Sequence, residues 1–303
     1  MVRITYLFLL LTFVLGSCKK DPVVFENNDI PPYDEIATII VNNYVNRLFI
    51  DIIGREPLDV EMALEVDLLE QNDLNQESRE VLVQKLMYSE SPVDGDISYN
   101  HACFHKIYED TKARFIEGAS DGFIDEKRFI FRASAIADSI VGNTVGYAKN
   151  MAEANKLQAI KDSNEALRNE EIVMTEVYRR MTYNWIYDEI NMNTFNFVNS
   201  SFNDLYYRYP TKSEFENAYT IIEFNEPSQL FGIIAQTKLE YLELLISTNE
   251  CYEGMIQWSF KSLLAREPSA NEVFNLLESL ILTENVLSVQ ESIYLSDEYA
   301  GFD

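Results

Sequence analysis

Apolar residues recur along this chain at helical spacing. Val41, Val45, Leu48, Phe49 and Ile52 fall on one face of a 3.6-residue period. No stretch alternates apolar and polar positions for long enough to read as a half-buried strand. Turn signals are scarce, with 10 Gly and 8 Pro in 303 residues, too few for the many corners of an all-β chain. The pattern predicts an all-α fold.

One piece of the pattern returns twice. Residues 44–61 read YVNRLFIDIIGREPLDVE, residues 197–214 read FVNSSFNDLYYRYPTKSE, and residues 255–272 read MIQWSFKSLLAREPSANE. They align without gaps, and each carries a Phe (Phe49, Phe202, Phe260), an Arg two before a Pro and a Glu four after it. The motif residues are Arg55, Pro57 and Glu61, then Arg208, Pro210 and Glu214, then Arg266, Pro268 and Glu272. The spacing predicts a helix that runs into the Arg and is ended by the Pro, which pushes the preceding residue out of helical geometry. A second helix then starts, with Thr211-x-x-Glu214 and Ser269-x-x-Glu272 as capping boxes. In the first copy Leu58 replaces the hydroxyl residue, and Asp59 is the expected cap. The Arg is expected in the last turn of its helix, beside the negative dipole end and within reach of the Glu. The motif is read as a helix–corner–helix joint.

These matches divide the chain into helical modules at 34–91, 197–250 and 251–303, with an insert at 92–196. From Glu126 to Asn191 the insert has no Pro and only Gly142 and Gly146. Residues 148–171 are rich in Ala, Lys, Glu, Asn and Leu, good formers of exposed helix. A long helical hairpin projecting like an arm is expected. Aromatics gather between Tyr178 and Tyr209; they read first as core, and second as a partner or glycan surface formed by Trp185, Tyr206, Tyr207 and Tyr209.

The first and third copies resemble small helical modules of secreted bacterial proteins that carry an L-G-R-E-P-type signature and end in S-x-E-[FY]. Ile53-Gly54-Arg55-Glu56-Pro57, Leu264-Ala265-Arg266-Glu267-Pro268 and Ser296-Asp297-Glu298-Tyr299 carry the likeness. Those modules have mostly no known function, so the resemblance implies a fold and no activity.

The chain opens with Arg3, a short apolar run from Ile4 to Leu15, and Gly16-Ser17-Cys18. Those are the parts of a secretory signal over residues 1–17, and the run is shorter than the ~20 residues that span a bilayer. Leu15-Gly16-Ser17-Cys18 resembles the lipobox of bacterial lipoproteins, and Cys18-Lys19-Lys20-Asp21 is similar to the start of many Bacteroidota lipoproteins. The resemblance implies lipidation at Cys18, which holds a protein on a membrane without a transmembrane helix. Residues 18–33, with Pro22, Pro31 and Pro32, read as an extended tether. The outer membrane is the expected location.

Charge narrows the partners. Against 24 Lys plus Arg stand 50 Asp plus Glu, a net −26, which repels phosphate backbones and excludes nucleic acid. It also argues against a body adsorbed on anionic lipid headgroups. Apolar residues at 47% supply a real core.

Candidate chemistry is thin. His101 and His105, four apart, share a helical face and form the one candidate metal pair; Cys103 between them points elsewhere. Asp94-Gly95-Asp96 lacks the spacing of a calcium loop and reads as a turn. No phosphate-binding glycine loop and no nucleophile elbow occurs in the sequence. No cofactor and no catalytic residue is assigned. Cys103 and Cys251 are left open as a pair or as two core thiols. The expectation is a non-enzymatic lipoprotein: a scaffold or accessory subunit of an envelope complex serving secretion, gliding or uptake. The alternatives are capture of glycans or peptides through the aromatic surface and, last, a hydrolase.

Overall fold

The computed structural model describes residues 36–302; the signal segment, Cys18 and the tether lie outside them. The described chain is all-α, with fifteen α-helices and one small hairpin of strands. Helix α1 (Thr38–Leu48) runs on as a π-helical turn over Phe49–Ile53. The stripe of Val41, Val45, Leu48, Phe49 and Ile52 is buried along its length. Then come α2 (Asp59–Gln71), α3 (Gln76–Tyr88) and α4 (Tyr99–Ile116). Helices α5 (Asp121–Ile140) and α6 (Thr144–Arg168) form the antiparallel hairpin. Short helices α7 (Met174–Thr182) and α8 (Trp185–Asn191) lead into α9 (Thr194–Tyr206) and α10 (Lys212–Phe224). Last come α11 (Lys238–Ile246), α12 (Asn249–Leu264), α13 (Ala270–Thr283), α14 (Val286–Tyr294) and α15 (Asp297–Ala300).

Between α10 and α11 lies an element the periodicity does not predict. Strands β1 (Ser228–Leu230) and β2 (Ile233–Ala235) pair antiparallel across a two-residue Phe231-Gly232 turn. Both turn residues have positive φ, at 52° and 83°, the geometry that matches strand twist in a tight hairpin. Three residues per strand are too few for alternation to register.

The first helical set closes on the third. Tyr44 donates to the Tyr294 carbonyl at 3.0 Å, and Arg47 donates to the carbonyls of Tyr299 and Leu263 at 2.5 and 2.9 Å. Tyr299 Oη donates to Asp51 Oδ2 at 2.7 Å, and Arg79 pairs with Asp297 at 2.8 Å. The second set joins the third where α9 crosses α12. There Gly254 faces α9 so closely that an added Cβ would collide with the Leu205 carbonyl oxygen, a backbone approach that only glycine permits.

The hairpin hangs on the body chiefly through one of its two helices. Helix α6 packs on α4 and α7, whereas α5 packs chiefly on α6. At the base Asp121 accepts from Lys112 Nζ at 2.8 Å and Tyr108 Oη at 2.7 Å, and higher up Lys161 binds Asp125 at 2.5 Å. Phe131 of α5 also meets Trp185 edge to face at 5.9 Å.

Candidate interaction surfaces

The three motif arginines sit in one and the same bonding pattern. Arg55 donates from Nη1 and Nη2 to both oxygens of Glu61 at 2.7 and 2.8 Å. Arg208 does so to Glu214, at 2.9 Å each, and Arg266 to Glu272, at 3.0 and 2.7 Å. In each corner Nη1 also reaches the carbonyl of the next residue. The same Glu accepts the N–H of the residue that opens the following helix: Leu58, Thr211 or Ser269. Each guanidinium lies near the face of the motif Phe, 5.7, 5.2 and 5.0 Å from its ring centre. Planar two-point pairing with a carboxylate is what arginine supplies and lysine does not.

Two details of the expected corner need correction. The helix does not run to the Arg and is not ended by the Pro. It stops at the residue before the Arg, where Gly54, Tyr207 and Ala265 take left-handed φ of 80°, 56° and 54°, so each Arg lies beyond the last turn. Asp59 does not cap α2. Leu58 occupies the cap position, its side chain has no acceptor, and the Glu61 bond to its N–H is the half of the box that remains. Thr211 and Ser269 make full boxes.

Each clamp also has a member that sequence reasoning missed. Arg55 Nε donates to Asp96 at 2.7 Å, Arg208 Nε to Glu250, and Arg266 Nε to Glu298 at 2.6 Å. Glu250 and Glu298 each follow a hydroxyl cap by two residues (Thr248, Ser296), a spacing visible in the sequence. Asp96 has no such marker; it sits in a turn with Gly95 at φ 88°. Hydrogen bonds from Arg208 and Arg266 hold Glu214 and Glu272 at about 2. Against the upward pull of burial, bonds from Arg55, the Leu58 N–H and Tyr99 hold Glu61 low. Each guanidinium is thus shared by two carboxylates, and each clamp keeps one net negative charge.

The other candidates scatter. Tyr206 is buried and donates to the Leu245 carbonyl at 2.7 Å. Trp185 and Tyr207 are half-buried, and Tyr209 alone of the four is exposed. The aromatic residues therefore do not form a continuous face. His101 Nε2 lies 3.6 Å from Glu165 Oε1, and His105 is exposed beside Tyr108. Among the described residues no group of three or more His, Cys, Asp or Glu is placed to hold a metal. Cys103 and Cys251 are both free and buried, their thiols pushed up to about 12 by desolvation. No described helix is long and apolar enough to cross a membrane.

Among the exposed apolar side chains of the described residues, two sets stand out. Helix α13 carries Val273, Phe274, Leu276, Leu277, Leu280, Ile281 and Leu282, yet of these Leu280 alone is fully buried; Phe274 is 79% exposed and Leu282 78%. Helix α10, by comparison, packs on the β-hairpin and α11, with Phe224 at its end 60% exposed. The second surface is on the arm. Phe129, Ile136 and Ile140 of α5, Val141 of the turn and Val145 in the first turn of α6 are 72, 61, 80, 77 and 78% exposed.

A cleft of about 590 Å³ opens where α3, α4, the α6–α7 loop and the α13–α14 junction converge. Phe104, Ile107, Met174 and Leu287 line it with Asn100 and Arg168. Asn100 Oδ1 and Arg168 Nε are buried and without a hydrogen-bond partner among the described residues. No protein-family model, curated protein or solved structure matches the chain.

Proposed function

We propose that this chain is a non-catalytic scaffold or accessory subunit of an envelope protein complex, held at the outer membrane by a lipid on Cys18. We also read the three helical sets as copies of one module, a reading supported by the shared Arg–Glu clamp. The observation that carries the function is helix α13, an apolar helix that buries Leu280 and presents Phe274 and Leu282 to solvent. An exposed apolar face of that kind marks a protein contact, and a helix face docks as spaced apolar anchors. The clamp charges support the same reading, because they fix helix corners and leave no free acid–base set at the motif.

The test is extraction of native membranes in mild detergent and identification of what co-purifies. The chain is expected to emerge with a stoichiometric partner, and Phe274→Ser with Leu282→Ser to reduce that partner at least tenfold while circular dichroism stays the same. Recovery of the wild-type chain as a free monomer at native expression sinks the proposal.

Capture of a small ligand is a second reading, moved from the aromatic residues to the cleft. It is supported by a cleft of about 590 Å³ where Phe104, Ile107 and Leu287 lie beside Asn100 and Arg168, a volume typical of ligand sites. That mix of apolar and polar lining suits a peptide or an N-acetylated sugar. Calorimetric titration with both classes is expected to give heat that Asn100→Ala abolishes; flat titrations retire this reading.

A further inference from the structure

We infer that the outer face of α5 and the turn after it form a lipid-contacting surface, so that the arm lies against a bilayer. Helix α5 is apolar on two opposite faces. One face, with Ile124 and Ala135 buried, packs on α6. The opposite face carries Phe129, Ala133, Ile136 and Ile140 at spacings of four, three and four residues, which aligns them in one stripe. The stripe is ~17 Å long at 1.5 Å per residue, and Val141 and Val145 extend it around the turn.

Charge selects the occupant. Between Lys127 and Lys149 the chain has four cations and the single acid Asp138; Lys127 and Arg128 pair with Glu126 and Asp125 at 2.9 and 3.1 Å, which leaves Arg132 and Lys149 to face outward in a protein of net charge −26. Asp138 accepts from Asn143 and Asn150 at 2.8 Å each; these neutral amides fix its position and leave its single negative charge in place. Arg132 and Lys149 are exposed, set back ~10–13 Å from the turn along the two helices. Apolar residues at the tip with cations behind them match the depth at which interfacial helices lie, ~5–10 Å into the headgroup and acyl boundary, with long cationic stems reaching back to phosphates. The surface is a protrusion, not a groove, which suits a deformable lipid layer. A second copy of the chain fits less well: pairing two α5 stripes brings Arg132 near its own kind and leaves Val141 and Val145 uncovered. The negative charge that opposes adsorption of the body therefore does not extend to the arm.

A lipid on Cys18 brings this surface within reach of a bilayer, and to that extent the inference rests on the anchoring reading. Seventeen residues lie between Cys18 and Ile36, a span of at most ~60 Å. The test removes that dependence. The chain with Cys18→Ser, carrying no lipid, is floated with vesicles of phosphatidylethanolamine and phosphatidylglycerol at three to one. Vesicle binding is expected, falling at least tenfold in a variant with Ile136→Ser, Ile140→Ser and Val145→Ser and about tenfold with Arg132→Gln and Lys149→Gln. A label on Val141→Cys is expected to shift to the blue on binding; the buried Cys103 and Cys251 stay unlabelled. The serine variant keeps its circular dichroism, because those side chains are exposed. No flotation of the unlipidated chain, or binding that the serine variant retains, overturns the inference. So does a serine variant that converts a dimer to a monomer while vesicle binding is unaffected, because the face then pairs two copies. Acyl labelling of the native chain at Cys18 is scored separately, so an arm that fails leaves the anchor standing and an anchor that fails leaves the arm standing.

Discussion

At Arg208 the guanidinium is bound on three sides: two nitrogens on Glu214, the third on Glu250, and an aromatic ring beneath. At Arg132, on the arm, the guanidinium is exposed beside a stripe of exposed Phe and Ile. The corner uses charge to fix the angle between two helices, whereas the arm leaves charge and apolar surface open to whatever meets it. Where side chains satisfy one another, a substitution changes stability. Where they face solvent, it leaves stability alone and changes contact.

The largest effect tests the body. Gly254→Ala puts a methyl group into the backbone of α9, and overpacking of that kind costs about 3 kcal/mol, measured by urea unfolding. A change below ~1 kcal/mol means the α9–α12 approach is not held as closely as described.

The clamps come next, and their burial ranks them. Arg55→Met leaves Glu61, 12% exposed at its side chain, without its main partner, an expected loss of about 2 kcal/mol. Arg266→Met acts on a pair whose side chains are about a third exposed, so solvent screening reduces the loss to about 1 kcal/mol. The reverse order would show that the shared geometry is not a shared energetic role.

Titration gives a third, smaller distinction. Glu214 and Glu272 sit at about 2 in the folded chain against an ordinary 4.5. Their contribution is therefore complete above pH ~4.5 and is lost as pH falls toward 2. Asp204 runs the other way. Burial raises it to about 6 from 3.8, with the Tyr187 hydroxyl and Arg114 opposing, so the stability linked to it is complete below pH ~4 and lost as pH rises through 6. Unfolding free energy is expected to peak near pH ~5. Asp204→Asn should flatten the decline on the alkaline side, and Glu272→Gln should shallow the decline on the acid side.

The arm gives the smallest change in stability. Ile140→Ser with Val145→Ser is expected to move unfolding by less than ~0.5 kcal/mol, as exposed positions do. A larger loss means that the tip packs on something within the chain, which would remove the contrast with the corners.

The helical class, the hairpin and the three corners are legible in the residue pattern because each is a local property. A 3.6-residue stripe, a run without Pro or Gly, and a cap followed three residues later by Glu act within a few turns of one chain segment. The Nε partners of the clamps are not local. Asp96, Glu250 and Glu298 lie 41, 42 and 32 residues beyond their arginines, and nothing in an isolated segment ties them together. Nor does periodicity separate a buried aromatic from an exposed one. Tyr206 and Tyr209, three apart, are buried and exposed because α9 ends between them.

The sequence by itself determined that this chain is helical, that its helices turn at Arg-x-Pro corners, and that a long hairpin interrupts them. Tertiary structure alone decided which apolar faces find a partner. Burial depends on what the rest of the chain brings alongside: α10 receives the β-hairpin and α11, α13 rests on α12 and α14 and leaves Phe274 and Leu282 bare, and the outer face of α5 meets nothing among the described residues.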